Sequence, residues 1–547
     1  MTRDWIERFW RTLSLAGLLA GTLFFAASLT PSLIPRDFTV QGVLSGIAFS
    51  AGYGIGVFGQ WLWTWLELPL PRARGGRIAK QVATAACAAI ALAFLWQASA
   101  WQNSIRSLMG MEPVDSVRPF QVGLIALVVF VVLLGLARLF RLTGRMTSRR
   151  LRPFVPRRIA AVAGSAVAAI LFVGVANGVL LRYALHVADS SYRSMDELIE
   201  DGSSPPADPQ KTGSAASLLT WEGLGRAGRD FISSGPSAQD IGRFLGRDAQ
   251  EPIRVYAGLG SAETPAERAR LALEELKRVG AFEKSTLVIV TPTGTGWVDP
   301  AAADTLDYLE GGDVASVAIQ YSYLASWLSL LVEPGYGSDA SRALFHEVYG
   351  YWTTLPKDHR PRLYLYGLSL GAMNSELSNE LFEVLGDPYQ GALWAGPPFA
   401  SRIWRSITER RNAGTPFWLP QFRDGSYVRF TSQKNALDIA GAQWGPLRVV
   451  YLQYASDSVT FFDPYSFYRA PEWMTRPRGP DVSDQLRWYP IVSFLQSLVD
   501  LAFATTTPMG HGHVYAPQHY IDAWVAVMGL QWTPQDIARL KAHFAGK

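Results

Sequence analysis

The stretch Arg362–Phe382 reads RLYLYGLSLGAMNSELSNELF. After Arg362, residues Leu363–Tyr366 alternate apolar and aromatic side chains, as a strand does. Its second half carries Ala, Met, Leu and Glu at helical spacing. At the junction lies GLSLG, Gly367 to Gly371, which fits G-x-S-x-G. A sharp strand-to-helix turn of this kind exposes a serine hydroxyl at the top of a sheet, and glycines two positions either side let the backbone pack closely. The N-terminus of the following helix favours negative charge developing on a substrate oxygen. A chain of this composition holds about 0.3 such patterns by chance, so the strand before and the helix after carry the argument. Ser369 is the nucleophile candidate. A helix-capping serine in a tight turn would leave the same pattern.

Outward from this junction, short apolar runs alternate with helical patterns. Strands are expected at Ile253–Ala257, Thr286–Thr291, Ser316–Tyr321, Arg362–Tyr366, Gly391–Ala395 and Leu447–Tyr454. Helices are expected at Pro265–Val279, Ala302–Leu309, Ser341–Trp352, Ala372–Leu385 and Pro517–Met528. Such alternation implies a mostly parallel, doubly wound sheet with helices on both faces, and ligand sites at the carboxyl ends of its strands.

The first third of the chain differs in kind. Apolar runs occupy Thr12–Leu33, Phe38–Leu66, Gln81–Trp101, Pro119–Leu139 and Ile159–Leu181. Each is about 20 residues or longer, enough for a helix to cross a bilayer core of about 30 Å. Trp5, Trp10, Trp61, Trp63, Trp65 and Trp101 gather at run ends, as an interfacial belt does. Few charges lie within the runs, which argues against an ion pathway. The expected organisation is a transmembrane helical domain over 1–182, a linker over 183–215 rich in Ser, Pro, Asp and Gly, and an α/β domain over 216–547.

The net charge of +4 over 547 residues conceals an asymmetry: residues 1–182 carry +13 and the remainder −9. The basic residues sit between apolar runs, so no nucleic-acid partner is implied. Arg3, Arg8 and Arg11 precede the first run. Arg72, Arg74, Arg77 and Lys80 follow the second, and eight arginines from Arg138 to Arg158 follow the fourth. The intervening loops hold Arg36, Arg106 and Arg118 alone. The positive-inside rule then places the N-terminus in the cytoplasm and, after five crossings, everything past Leu181 outside. Cys87 is the single cysteine, which excludes a disulfide framework and a cysteine-based zinc site.

Five segments carry a family resemblance: TWEGLGRAGRDFI (Thr220–Ile232), TPTGTGWVDP (Thr291–Pro300), GLSLGAMNSE (Gly367–Glu376), YASDSVTFFDP (Tyr454–Pro464) and GHGHVYAPQHYIDAWVAV (Gly510–Val527). The chain resembles the alpha/beta hydrolases, and more narrowly the bacterial family that joins a multi-span membrane domain to an alpha/beta-hydrolase fold. With the membrane block the resemblance covers most of the chain. Members are generally treated as serine hydrolases, often without an assigned substrate.

In hydrolases of this kind the order is nucleophile, acid, histidine. The run Leu447–Ala455 ends in Ser456-Asp457, so Asp457 is the acid candidate and Asp463 its alternative. A loop histidine before the last helix takes the serine proton; His511 and His513 both qualify, and the choice stays open. Metal binding by His511, His513 and His519 is the competing use, unsupported by an H-E-x-x-H helix or cysteine ligands. The oxyanion hole would draw on the N–H of Leu370 and on the loop holding Thr293, Gly294 and Thr295, which departs from the HGGG-type loop of many esterases. No final strand is evident before His511; Ile491–Ala504 reads as helical. The apolar run Tyr321–Gly337 would line an acyl pocket, form a lid, lean on the membrane, or fill the core as a helix.

The expectation is a membrane-embedded serine hydrolase acting on a lipid or other acyl ester through an acyl-enzyme, with the lipid bilayer as partner and without metal or organic cofactor. The alternatives are an acyltransferase using the same site, and a non-catalytic hydrolase-fold binding module joined to a transport or assembly domain.

Overall fold

A computed structural model describes residues 12–69, 73–175, 196, 199, 204–323 and 335–545. Outside them lie Trp5, Trp10, Arg3, Arg8, Arg11, Arg72, His186, the end of the fifth apolar run, most of the expected linker and the bulk of the run Tyr321–Gly337. The chain divides into two compact units. One holds Met1–His186, Asp463–Thr475 and Pro480–Phe503; the other holds Val187–Phe462, Arg476–Gly479 and Ala504–Lys547. The second half of the chain is therefore shared: it leaves its own unit after Phe462 and returns for good at Ala504.

The first unit is helical. Its N-terminal part forms α1 (Leu15–Ser28), α2 (Phe38–Trp65), α3 (Ala73–Arg106), α4 (Pro119–Leu151) and α5 (Arg157–Val173). Asp37 starts α2 by accepting the N–H groups of Thr39 and Val40, which satisfies donors every helix N-terminus leaves orphaned. Small residues let α1 and α2 run antiparallel in backbone contact. A Cβ at Gly52 would lie 2.6 Å from the Ala20 carbonyl oxygen, and one at Gly46 2.6 Å from Val129 Cβ on α4.

Among the described residues three helices are long and apolar enough to cross a membrane: Phe38–Trp65, Lys80–Met109 and Pro119–Leu151. The first apolar run departs from expectation. Helix α1 has 14 residues, about 21 Å, short of a bilayer core of about 30 Å. It stops because the chain turns through Thr30-Pro31 and Pro35 follows, and neither proline offers an N–H to continue a helix. Helix α5 has 17 residues in its described part.

The second unit is built on a seven-stranded sheet among the described residues: β1 (Ile253–Ala257), β2 (Thr286–Thr291), β3 (Val314–Ile319), β4 (Arg362–Leu368), β5 (Gly391–Ala395), β6 (Val428–Thr431) and β7 (Arg448–Leu452). Their order is β1-β3-β2-β4-β5-β7-β6, with every pairing parallel. Strands β2 and β3 are buried at every residue, which is why they read as unbroken apolar runs. Around the sheet lie α6 (Gly225–Ser233), α7 (Ala238–Leu245), α8 (Pro265–Arg278), α9 (Pro300–Leu309), α10 (Tyr336–Thr354), α11 (Leu370–Glu376), α12 (Leu381–Val384), α13 (Arg402–Glu409), α15 (Pro517–Met528) and α16 (Pro534–Ala545). Helix α14 (Val492–Ala502) belongs to the first unit.

Two expectations change. The helix pattern Ala372–Leu385 is interrupted between Glu376 and Leu381. The end of the expected linker is folded: the Thr212 hydroxyl donates to the Arg254 carbonyl at 3.1 Å, and Thr212 and Ser214 are buried.

Because Gly52 meets the backbone of α1 directly, Gly52→Val forces the two helices apart. We expect a loss of about 1–3 kcal/mol, read as a lower midpoint for unfolding in detergent.

Candidate active site

Strand β4 delivers Ser369 and α11 carries the chain away from it. Ser369 sits at φ 59° and ψ −127°, a conformation that costs a non-glycine residue about 1–3 kcal/mol and persists only where neighbours enforce it. They do. A Cβ at Gly367 would overlap the Gly371 carbonyl, and one at Gly371 would overlap the Thr291 carbonyl oxygen and lie 2.8 Å from that of Pro292. Both glycines of the motif are thus required by close backbone approach. The Ser369 N–H donates to the Ala395 carbonyl at the end of β5, at 2.9 Å, and Ser369 is 3% exposed.

Asp457 follows β7 and is fully buried. Its Oδ1 accepts the N–H groups of Val459 at 2.8 Å and Thr460 at 3.3 Å. Its Oδ2 accepts the Thr460 hydroxyl at 3.2 Å, the Tyr515 hydroxyl at 2.7 Å and His513 Nδ1 at 2.8 Å. With Nδ1 as donor to a carboxylate, the neutral imidazole leaves Nε2 as a base. That Nε2 is buried and has no hydrogen-bond partner among the described residues.

Ser369 and His513 approach the same peptide from different elements. The Ala395 carbonyl holds the serine N–H. The next residue, Gly396, has φ +50°, and a Cβ there would lie 2.8 Å from His513 Cε1 and from Tyr515 Cε2. Gly396 leaves the space that the imidazole occupies. No hydrogen bond joins Ser369 Oγ to His513 Nε2 among the described residues.

The other expected site residues are placed as follows. His511 is not among the partners of Asp457; it pairs with Val514 in a small bridge and its N–H donates to Pro508. Asp463 caps the turn Pro464–Phe467 through the Tyr465 N–H. His519 Nδ1 lies 2.6 Å from the Tyr454 hydroxyl, and burial, assisted by Lys541 and His511, pushes its pKa down to about 4. The described residues contain no group of three His, Cys, Asp or Glu side chains arranged to hold a metal.

The loop after β2 lies beside the serine turn, since Thr291 pairs with Gly367 across the sheet. Within it the Thr293 N–H donates to the Trp297 carbonyl at 3.0 Å. The Thr293 N–H is thus already engaged by its own loop. Leu370 is the first residue of α11, where helix N–H groups lack intrahelical partners.

Several residues of this site escaped the sequence reading. Tyr515 shares an Asp457 oxygen with His513 and stacks on Tyr454 with ring centroids 4.4 Å apart. Ser456 accepts the Gly512 N–H at 2.8 Å, which fixes the histidine loop. Asp299 caps α9 and accepts the Tyr520 hydroxyl at 3.0 Å. Burial raises its pKa to about 7, against the opposing bonds from the Ala301 N–H and the Tyr520 hydroxyl. Glu376, bonded to Ser401 and Tyr451, is likewise raised to about 7 by burial. Tyr515 and Asp299 fall inside two of the quoted motifs, but a hydroxyl and a carboxylate there gave no sign of which group they would face.

The pattern of the Alpha/beta-hydrolase family matches residues 253–540, and that of the Alpha/beta-hydrolase family N-terminus matches residues 29–236. The chain belongs to this family. No curated protein and no solved structure matches it.

Asp299 gives the folded protein a pH dependence. Its folded pKa near 7 exceeds the usual 3.8, so its contribution is complete below about pH 4 and is lost as pH rises through 7. In Asp299→Asn that loss is absent. Melting curves taken between pH 4 and pH 7.5 should show a smaller fall in Tm for the variant than for the wild type.

Proposed function

We propose that this family member is a membrane-embedded serine hydrolase that cleaves a carboxylic ester of a lipid or other acyl compound. The observation that carries the reading is the histidine. His513 is bonded through Nδ1 to a buried carboxylate, keeps Nε2 unpartnered, and sits against the Ala395–Gly396 peptide whose carbonyl holds the Ser369 N–H.

Ser369 Oγ attacks the ester carbonyl carbon and His513 Nε2 takes its proton. Negative charge on the carbonyl oxygen is met by the Leu370 N–H and by a donor from the loop Thr293–Thr295. The tetrahedral intermediate expels the alcohol, which leaves with the proton from Nε2. Water then attacks the acyl-enzyme, losing a proton to His513 Nε2; as the second tetrahedral intermediate collapses that proton passes to Ser369 Oγ and the carboxylic acid departs. Asp457 keeps the imidazole oriented and is itself held by the Tyr515 hydroxyl and the Val459 and Thr460 N–H groups. An alcohol in place of water would make the same site an acyltransferase. The setting we propose is a bacterial plasma membrane; the basic segments favour a cytoplasmic N-terminus, and an odd number of crossings places the hydrolase unit outside.

A second reading, a non-catalytic binding module, draws on one observation: Ser369 Oγ and His513 Nε2 share no hydrogen bond. Catalytic hydrogen bonds in ligand-free enzymes are often long and tighten only with substrate, so this does not displace the first reading.

Labelling by a fluorophosphonate probe in membranes separates the two. Wild type should label and Ser369→Ala should not. Asp457→Asn, which upsets the histidine tautomer, should slow labelling by about 10⁴-fold, and His513→Ala similarly. His511→Ala should leave the rate within about 3-fold of wild type, since His511 has no bond to Asp457. Unlabelled but folded wild type would favour the binding module.

A further inference from the structure

Between Asp457 and His513 the chain departs from the second unit for Asp463–Thr475 and Pro480–Phe503, which fold with the membrane helices. Hydrogen bonds within the first unit fix the depth at which they do so. The Gln496 amide on α14 donates to the Thr30 carbonyl at 3.0 Å and the Ser28 carbonyl at 3.4 Å. The Asp500 carboxylate accepts the Ser32 hydroxyl and the Leu33 N–H, each at 2.9 Å. Residues 29–36 join the antiparallel pair α1 and α2, so they lie at one end of that pair. The same end receives the close of α3, through Arg36 N–H to the Gln102 side chain at 2.9 Å and Ser104 to Ser483 at 2.8 Å. If α2 and α3 cross a bilayer, this end lies at its surface.

The segment before α14 is tied to it. The Ile491 N–H donates to the Phe467 carbonyl at 2.9 Å, and Trp488 Nε1 to the Ser466 carbonyl at 2.8 Å. Three of its side chains nevertheless stay largely uncovered: Tyr465, Phe467 and Tyr468 are 50, 46 and 56% exposed, Phe467 reaching the Phe494 ring on α14 at 6.2 Å between centroids. They form one aromatic group, Phe467 and Tyr468 with centroids 4.8 Å apart and Tyr465 and Tyr468 6.1 Å apart. The Arg469 guanidinium lies 4.8 Å from the Tyr465 ring. Three neighbouring exposed aromatics have no reason to face water. Tyrosine with an adjacent arginine is the chemistry of the headgroup layer, where the ring is buried and the polar tip stays wet.

We propose that Asp463–Thr475 is an interfacial element whose partner is the lipid bilayer itself, with Tyr465, Phe467 and Tyr468 seated at the boundary between headgroups and acyl chains. The patch is continuous with the lipid-facing helices through α14, and this selects lipid over a protein partner. The proposal stands apart from ester hydrolysis and is read without it.

The solitary cysteine makes the test direct. In a Cys87→Ser background, Phe467→Cys carries a nitroxide in the full chain, reconstituted in phosphatidylcholine–phosphatidylglycerol vesicles. Val132→Cys on α4 serves as the deep reference, and Tyr468→Cys guards against a local distortion at 467. Relaxation by oxygen relative to a water-soluble nickel chelate reports depth. We expect the ratio at 467 and 468 to exceed that of a free aqueous nitroxide several-fold and to fall below that at 132. A ratio at 467 and 468 equal to the aqueous value would overturn the proposal. So would a value matching 132, which would place the segment in the acyl core. An aqueous reading at 132 as well would remove the membrane reading on which the depth argument depends.

Discussion

A side chain at position 371 would overlap the carbonyl oxygens of Thr291 and Pro292, and much of the second unit is organised by that exclusion. It brings the start of α11 against the end of β2, so that the chain leaving β4 must reverse within one residue. Ser369 absorbs the reversal in its unfavourable φ. The same contact sets the loop after β2 beside the serine turn. A residue strained by its neighbours loses little further freedom when substrate arrives, which is the energetic use of such turns.

Around this turn the protein keeps acidic groups out of water to an unusual extent. Asp299, Glu376 and Asp457 are all buried, yet their surroundings differ. Asp457 collects five donors. Asp299 has the Ala301 N–H and the Tyr520 hydroxyl, and Glu376 has two hydroxyls. Donors stabilise the charged form, and desolvation opposes it. Asp299 and Glu376 are accordingly raised to about 7. Burial thus outweighs the donors at both Asp299 and Glu376.

The sequence disclosed what is encoded locally. Continuous apolar runs marked β2 and β3 because both faces are covered, and the glycines of GLSLG marked the serine turn because backbone contact forbids any other residue. What escaped depended on partners distant in the chain. Strand β6 has four residues, one of them Arg429, whose guanidinium is buried against the carbonyls of Gly425 and Leu437; no short-range pattern announces a strand with a charge inside it. His511 and His513 are both glycine-preceded, and only the packing of Gly396 and the position of Asp457 distinguish them. The first apolar run looked long enough to cross a membrane because apolar composition continues past Ser28, whereas prolines end the helix there. Residues 463–503 read as part of the hydrolase because they lie between its acid and its histidine; tertiary contacts assign them elsewhere.

That interleaving constrains how the protein can be made and dissected. All seven strands, Ser369 and Asp457 precede α14 in the chain, while His513 and α15, which packs on β5 and β7, follow it. During synthesis the sheet is therefore complete in sequence before its last covering helix exists, and the ribosome must deliver an apolar helix belonging to the other unit in the interval. No single cut yields the second unit by itself. A fragment beginning near Val187 carries α14 without the helices whose carbonyls Gln496 caps, and a water-soluble version would require excising the insertion and rejoining Phe462 toward Ala504. The two units are interleaved along the chain and so inseparable in genetics.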